Sequence, residues 1–133
     1  MTDNIEGRCH CGEVQWQAKM PPTIVLNCHC NMCRQLSGAD YSSWVVLNDA
    51  QFTLLKGAEL LQKYQASEHF SKTFCRQCGT VVSAVNQDKF PGHTYVARGT
   101  VRTDTDLPVN LQVFTHDKAN WVSLDADIPT LNP

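Results

Sequence analysis

Cys28-His29-Cys30-Asn31-Met32-Cys33 places three thiols within six residues. Two further pairs flank this stretch: Cys9-His10-Cys11 upstream and Cys75-Arg76-Gln77-Cys78 downstream. The chain has seven cysteines, all of them in these three clusters. The division is four plus three. The two outer pairs together supply a closed four-thiolate site, and the central triplet supplies three ligands and leaves a fourth position open. Structural zinc is tetrahedral and fully ligated by protein, whereas catalytic zinc keeps one exchangeable position.

The local chain supports this grouping. In extended backbone a Cys-x-Cys pair turns both sulfurs to one side. Cys9 can thus share an ion with Cys11, and Cys28 with Cys30. Cys33 lies three residues past Cys30, about one helical turn away, and can fold back to the same ion. Cys75-x-x-Cys78 followed by Gly79 reads as half of a zinc ribbon, with the glycine freeing the tight turn. Disulfides fit poorly, because seven is an odd number and a bond within Cys-x-Cys closes a small strained ring. Buried cysteines acting as small hydrophobes do not cluster at ligand spacing. All-thiolate ligation selects zinc, with an iron–sulfur cluster as the other option. The expectation is two zinc ions.

The 133 residues suit one domain, 1–133, with a buried core. A hydrophobic share of 42% against 18% charged places the chain among globular proteins. No apolar run approaches the roughly 20 residues of a membrane span. Met1-Thr2-Asp3-Asn4 is polar and lacks a signal-peptide pattern. Together with thiol dependence this points to the cytoplasm. Formal charge is −2 with neutral thiols, and ionising the thiols on two divalent ions makes it more negative still. Such a domain lacks the basic footprint of a nucleic-acid or membrane-surface binder.

Short strands at frequent turns predict a mainly β fold. Val14–Ala18 alternates apolar and polar, and Met20-Pro21-Pro22 ends it. Ile24-Val25-Leu26 reads as a buried strand leading into Cys28, and Asn31–Leu36 as one or two helical turns stopped by Ser37-Gly38. Strands follow at Trp44–Leu47, Phe52–Leu55 and Leu60–Tyr64, the last two separated by a turn at Lys56-Gly57. Phe70–Phe74 and Thr80–Val85 form a hairpin with Cys75 and Cys78 at its turn. Thr94–Ala97 and Leu111–Thr115 are late strands around an exposed loop at Thr103–Asp106. Trp121-Val122 reads as an apolar anchor and Ile128–Pro133 as tail.

These motifs resemble the glutathione-dependent formaldehyde-activating (GFA) family. Arg8-Cys9-His10-Cys11-Gly12-Glu13-Val14, Cys28-His29-Cys30-Asn31-Met32-Cys33-Arg34 and Phe74-Cys75-Arg76-Gln77-Cys78-Gly79 match its three signatures in order and spacing. The likeness extends to Ser37-Gly38-Ala39 and to Lys118-Ala119-Asn120-Trp121-Val122. The resemblance implies a β-tent of packed antiparallel sheets with zinc-binding knuckles and short helical turns. It implies a structural zinc on Cys9, Cys11, Cys75 and Cys78 and a catalytic zinc on Cys28, Cys30 and Cys33. It further implies a carbon–sulfur lyase-type activity on glutathione and formaldehyde, with S-hydroxymethylglutathione as the adduct. Two places differ. Arg98-Gly99-Thr100-Val101 stands where members often carry Gly-Ser-Leu-Asp, and His116-Asp117-Lys118 where they often carry Ser-Lys. Both are expected near the substrate pocket.

A zinc bound by three thiolates is a weak Lewis acid but thiophilic, and it holds a substrate thiol as the reactive thiolate. A small carbonyl beside it can then be attacked. Other candidates are weaker. His10 and His29 sit between ligands and should point away from the metal. His69, His93 and His116 stand alone. Arg34, Arg76 and Arg98 could clamp a glutathione carboxylate. Trp44 and Trp121 read as core. The rival function is a non-catalytic zinc-binding module with two structural sites, and a redox or metal-buffering protein ranks behind it.

Overall fold

The computed structural model describes residues 4–131. Met1–Asp3 of the polar start, and Asn132 and Pro133 of the tail, lie outside the described residues. The strands are β1 (Asn4–Arg8), β2 (Gln15–Lys19), β3 (Ile24–Cys28), β4 (Ser42–Asn48), β5 (Phe52–Lys56) and β6 (Leu61–Gln65). They continue with β7 (Phe70–Cys75), β8 (Val81–Asn86), β9 (His93–Ala97), β10 (Leu111–Val113) and β11 (Thr130–Leu131). One α-helix, α1 (Asn31–Ser37), follows β3. The fold is mainly β, with cysteine knuckles and short helical turns.

Two sheets form. The smaller has the order β1-β2-β5, and the larger β11-β10-β3-β4-β9-β8-β7-β6. The smaller sheet is antiparallel throughout. The larger one is mixed, because β10 runs parallel to both β3 and β11. That differs from the purely antiparallel expectation. β11 also gives the supposed tail a strand of its own.

The centre of the larger sheet is covered on both faces, which explains the unbroken Trp44-Val45-Val46-Leu47 run. Alternation sends Val25, Val45, Leu47, Val82 and Val96 toward Ile5, Trp16 and Ala18 of the smaller sheet. It sends Leu26, Trp44, Val46, Ala84 and Tyr95 to the other face, where they pack with Cys28, Cys33 and Phe70.

Propensity does not predict β1, since Asn4-Ile5-Glu6-Gly7-Arg8 is polar and contains glycine. Its place comes from packing. Gly7 pairs with Trp16, and the missing side chain makes room for the buried indole. The turn at Lys56-Gly57 is present, but the strands it joins do not pair. Gly57 carries the chain from the smaller sheet to the larger. Late Leu111–Thr115 is cut short at Val113, because Phe114 takes a left-handed conformation with φ 53°. Trp121 is 72% exposed, with its Nε1 donating to Asp40 Oδ1 at 2.9 Å. It is a surface ring rather than core.

Gly57 has φ 94°, and a Cβ there would meet the Glu13 carbonyl and stand 2.8 Å from Val14 Cα. Gly57→Ala should therefore cost at least about 2 kcal/mol in urea denaturation, combining left-handed strain with overpacking. An unchanged midpoint would show that this crossover does not constrain the sheets.

Candidate metal centres

Cys9 and Cys11 lie in the β1–β2 connection, and Cys75 and Cys78 flank the β7–β8 turn. The four sulfurs come within 4.8 Å of one another. Cys9 and Cys11 Sγ are 3.5 Å apart, and Cys11 and Cys75 Sγ 3.8 Å. Tetrahedral zinc with bonds near 2.3 Å requires sulfur–sulfur separations of about 3.8 Å. The donor set therefore fits such an ion. Cys9 and Cys11 are gathered by a turn and not by extended chain: Gly12 N donates to Cys9 O at 3.1 Å, with Gly12 at φ 82°. Gly79, at φ 84°, closes the second knuckle by donating to Cys75 O at 2.7 Å. His10 N reaches Thr80 Oγ1 at 3.0 Å and ties one knuckle to the other. The Thr80 hydroxyl, foremost, holds the Cys78 thiol down to about 5.

Cys28, Cys30 and Cys33 form the second group, also within 4.8 Å. Here the extended-chain argument holds. Cys28 ends β3 and His29 N continues its ladder to Val113 O at 3.0 Å, so Cys28 and Cys30 share one side with sulfurs 3.5 Å apart. Cys30 then caps α1, with its Sγ accepting from Cys33 N at 3.2 Å. Gly38, at φ 65°, stops the helix as expected and donates to Arg34 O. Hydrogen bonds from the Cys28 and then the Cys33 thiol hold Cys30 down to about 3. Cys28 is pushed strongly up by Cys30, then Cys33, and by burial. No other His, Cys, Asp or Glu joins the three among the described residues.

A cavity of about 650 Å³ opens on this triplet. Cys28, Cys30 and Cys33 share its lining with Trp44, Phe70, Phe90, Tyr95 and Phe114. Tyr95 is buried, and its ring meets Trp44 and Phe90 edge to face with centroids 5.9 and 6.0 Å away. Burial, then the charge of Cys28 and Cys33, pushes the Tyr95 hydroxyl well above the ordinary phenol range.

The family model for glutathione-dependent formaldehyde-activating enzyme matches residues 4–117. The chain belongs to this family. A Halomonas elongata protein named "Putative glutathione-dependent formaldehyde-activating enzyme" is 26% identical over 131 residues, spanning 92% of this chain and 82% of that protein. A crystal structure of a Rhodobacter sphaeroides protein matches with a TM-score of 0.64 at 22% identity, covering 75% of this chain and 90% of that one. That likeness is one of fold.

Against the family pattern, Asp117 lines the cavity and Gly99 lines a smaller one of about 330 Å³ beside Cys33. The three arginines are engaged elsewhere. Arg34 donates to Asn31 Oδ1 and Asp117 O and lies over Trp121; Arg98 donates to Leu107 O and Ser43 Oγ; Arg76 is exposed beside the other cluster. His69 lines the cavity, while His93 packs on Phe90 and His116 pairs with Asp117 at 3.2 Å. His10 is exposed, and His29 is buried against Tyr41 at 4.8 Å, held neutral by burial and by nearby Lys118 and Arg34. Trp44 is core, as read, and also cavity wall. The sequence reading overlooked Tyr95, Phe90 and Phe114. Only the alternation of Thr94-Tyr95-Val96 hinted that Tyr95 and Val96 face opposite sides.

Because burial disfavours the phenolate, Tyr95 should ionise last. An ultraviolet pH titration should show a late tyrosinate phase that Tyr95→Phe removes. Removal of an early phase instead would mean that Tyr95 is solvated.

Proposed function

We propose that the chain is a zinc-dependent enzyme of the carbon–sulfur lyase type that forms or cleaves a small thiol–carbonyl adduct in the cytoplasm. The pair named in the family's description is glutathione and formaldehyde. The observation that carries this reading is the cavity opening on three clustered thiols that no fourth His, Cys, Asp or Glu completes among the described residues. In this reading Cys9, Cys11, Cys75 and Cys78 hold a structural zinc, and Cys28, Cys30 and Cys33 a catalytic one. A purely structural triplet would need neither the cavity nor the missing ligand.

Zinc bound at the triplet would supply Lewis acidity and keep an incoming sulfur as thiolate. The chain's own residues do the rest. Trp44 and Phe70 wall the reacting groups off from bulk water. Tyr95, protonated and facing the cavity, donates a hydrogen bond to the carbonyl oxygen as charge develops there. The sulfur–carbon bond forms, the carbonyl π pair passes to oxygen, and that oxygen takes up a proton equivalent to the one the thiol lost in becoming thiolate. The reverse step breaks the bond and returns thiol and carbonyl, with no change of redox state.

The two sites should fail differently. Cys11 and Cys75 lie 64 residues apart, so an ion between them closes a long loop and its binding energy is folding energy. The triplet closes almost no loop. Cys75→Ser should unfold or become insoluble. Cys33→Ser should remain folded, lose one zinc of two, and no longer speed the interconversion of glutathione plus formaldehyde with S-hydroxymethylglutathione above the uncatalysed rate, read by NMR exchange measurements against the parent. A folded Cys33→Ser variant with parental turnover would sink the catalytic assignment.

A further inference from the structure

The cavity is far larger than a one-carbon carbonyl requires. Its 650 Å³ lies within the range of about 300–1,000 Å³ that holds drug-sized ligands, whereas a single water takes about 30 Å³ of liquid. Its wall is largely apolar, with Trp44, Tyr95 and Phe90 in edge-to-face contact and Leu111 and Phe114 on the same lining.

Among the described residues no arginine lines this cavity. Its lysine is Lys89, half exposed and 3.7 Å from Asp88. Asp88 and Asp117 both stand on the lining. A carboxylate on the carbonyl-derived half would meet Asp88 or Asp117 and find no guanidinium fork among the described residues of the lining. An aryl or branched-alkyl group would instead remove apolar wall from water.

We propose that the adduct this cavity holds best carries an aryl or branched-alkyl body on its carbonyl-derived carbon, so that apolar aldehydes are preferred over formaldehyde as the carbonyl partner. This rests on reading the triplet as the reacting centre, which puts the reacting carbon at the cavity and its substituent against the apolar part of the wall. The bond changes are those given above: sulfur adds to the aldehyde carbon and oxygen takes the proton. A polar thiol tail is left with Asn31, Ser67 and Lys89.

Isothermal titration of the zinc-loaded protein with S-methylglutathione and S-benzylglutathione tests this, since the two differ only in the carbonyl-derived half. The benzyl compound should bind at least about tenfold more tightly. Phe90→Ala and Leu111→Ala, both at half-buried positions, should each narrow that ratio. Equal affinities in the parent, or a ratio undiminished in both variants, would overturn the assignment. Zinc content of the same samples reports on the centre separately. Two zincs without benzyl preference sinks the apolar body alone, whereas benzyl preference with one zinc sinks the lyase reading and this substrate with it.

Discussion

Four sulfurs from two different sheets must come to within 4.8 Å of one another, and the rest of the architecture follows from that constraint. Cys9 and Cys11 hang from the smaller sheet, and Cys75 and Cys78 from the larger. Each pair sits in a turn closed by a left-handed glycine, so both loops present sulfur inward. Between the sheets, Trp16 and Ile5 meet Val45, Leu47 and Val96. The sulfur knot fixes one end of this sandwich and hydrophobic burial fixes its body.

With one face of the larger sheet committed to that core, the other face is free to build a site. Strand alternation separates the two tasks within single elements. In β3, Val25 packs between the sheets while Leu26 and Cys28 face the cavity side. In β9, Val96 goes inward and Tyr95 goes to the cavity. Helix α1 then brings Cys33 back over the sheet, with Cys30 as both cap and cluster member. The triplet is thus held on a strand end and a helix start rather than on a loose loop, which fixes the geometry of its three sulfurs.

Each cysteine cluster was legible because ligand spacing is a local property, and the meeting of the two outer pairs, 64 residues apart from Cys11 to Cys75, followed from counting seven thiols as four plus three. So were the hairpin at Cys75–Cys78 and the stop at Gly38, where short-range stereochemistry decides. What was illegible depends on distant partners. β1 is a strand because Gly7 accommodates Trp16, which propensity does not register. The parallel pairing of β10 with β3 and β11 joins segments far apart in sequence. Trp121 was misplaced as an anchor because hydrophobicity alone does not reveal that Asp40 and Arg34 receive it at the surface. The aromatic wall around Tyr95 comes from three separate segments, so no local pattern marks it.

The central claim is that seven thiols divide between a closed and an open zinc. X-ray absorption at the zinc edge of freshly purified protein addresses it directly, combined with the metal content per chain. The account predicts two zincs per chain with a shell dominated by sulfur near 2.3 Å and a minor oxygen or nitrogen contribution, about one light atom to seven sulfurs. A single zinc with four sulfurs, a nitrogen-rich shell, or iron with sulfide would contradict it.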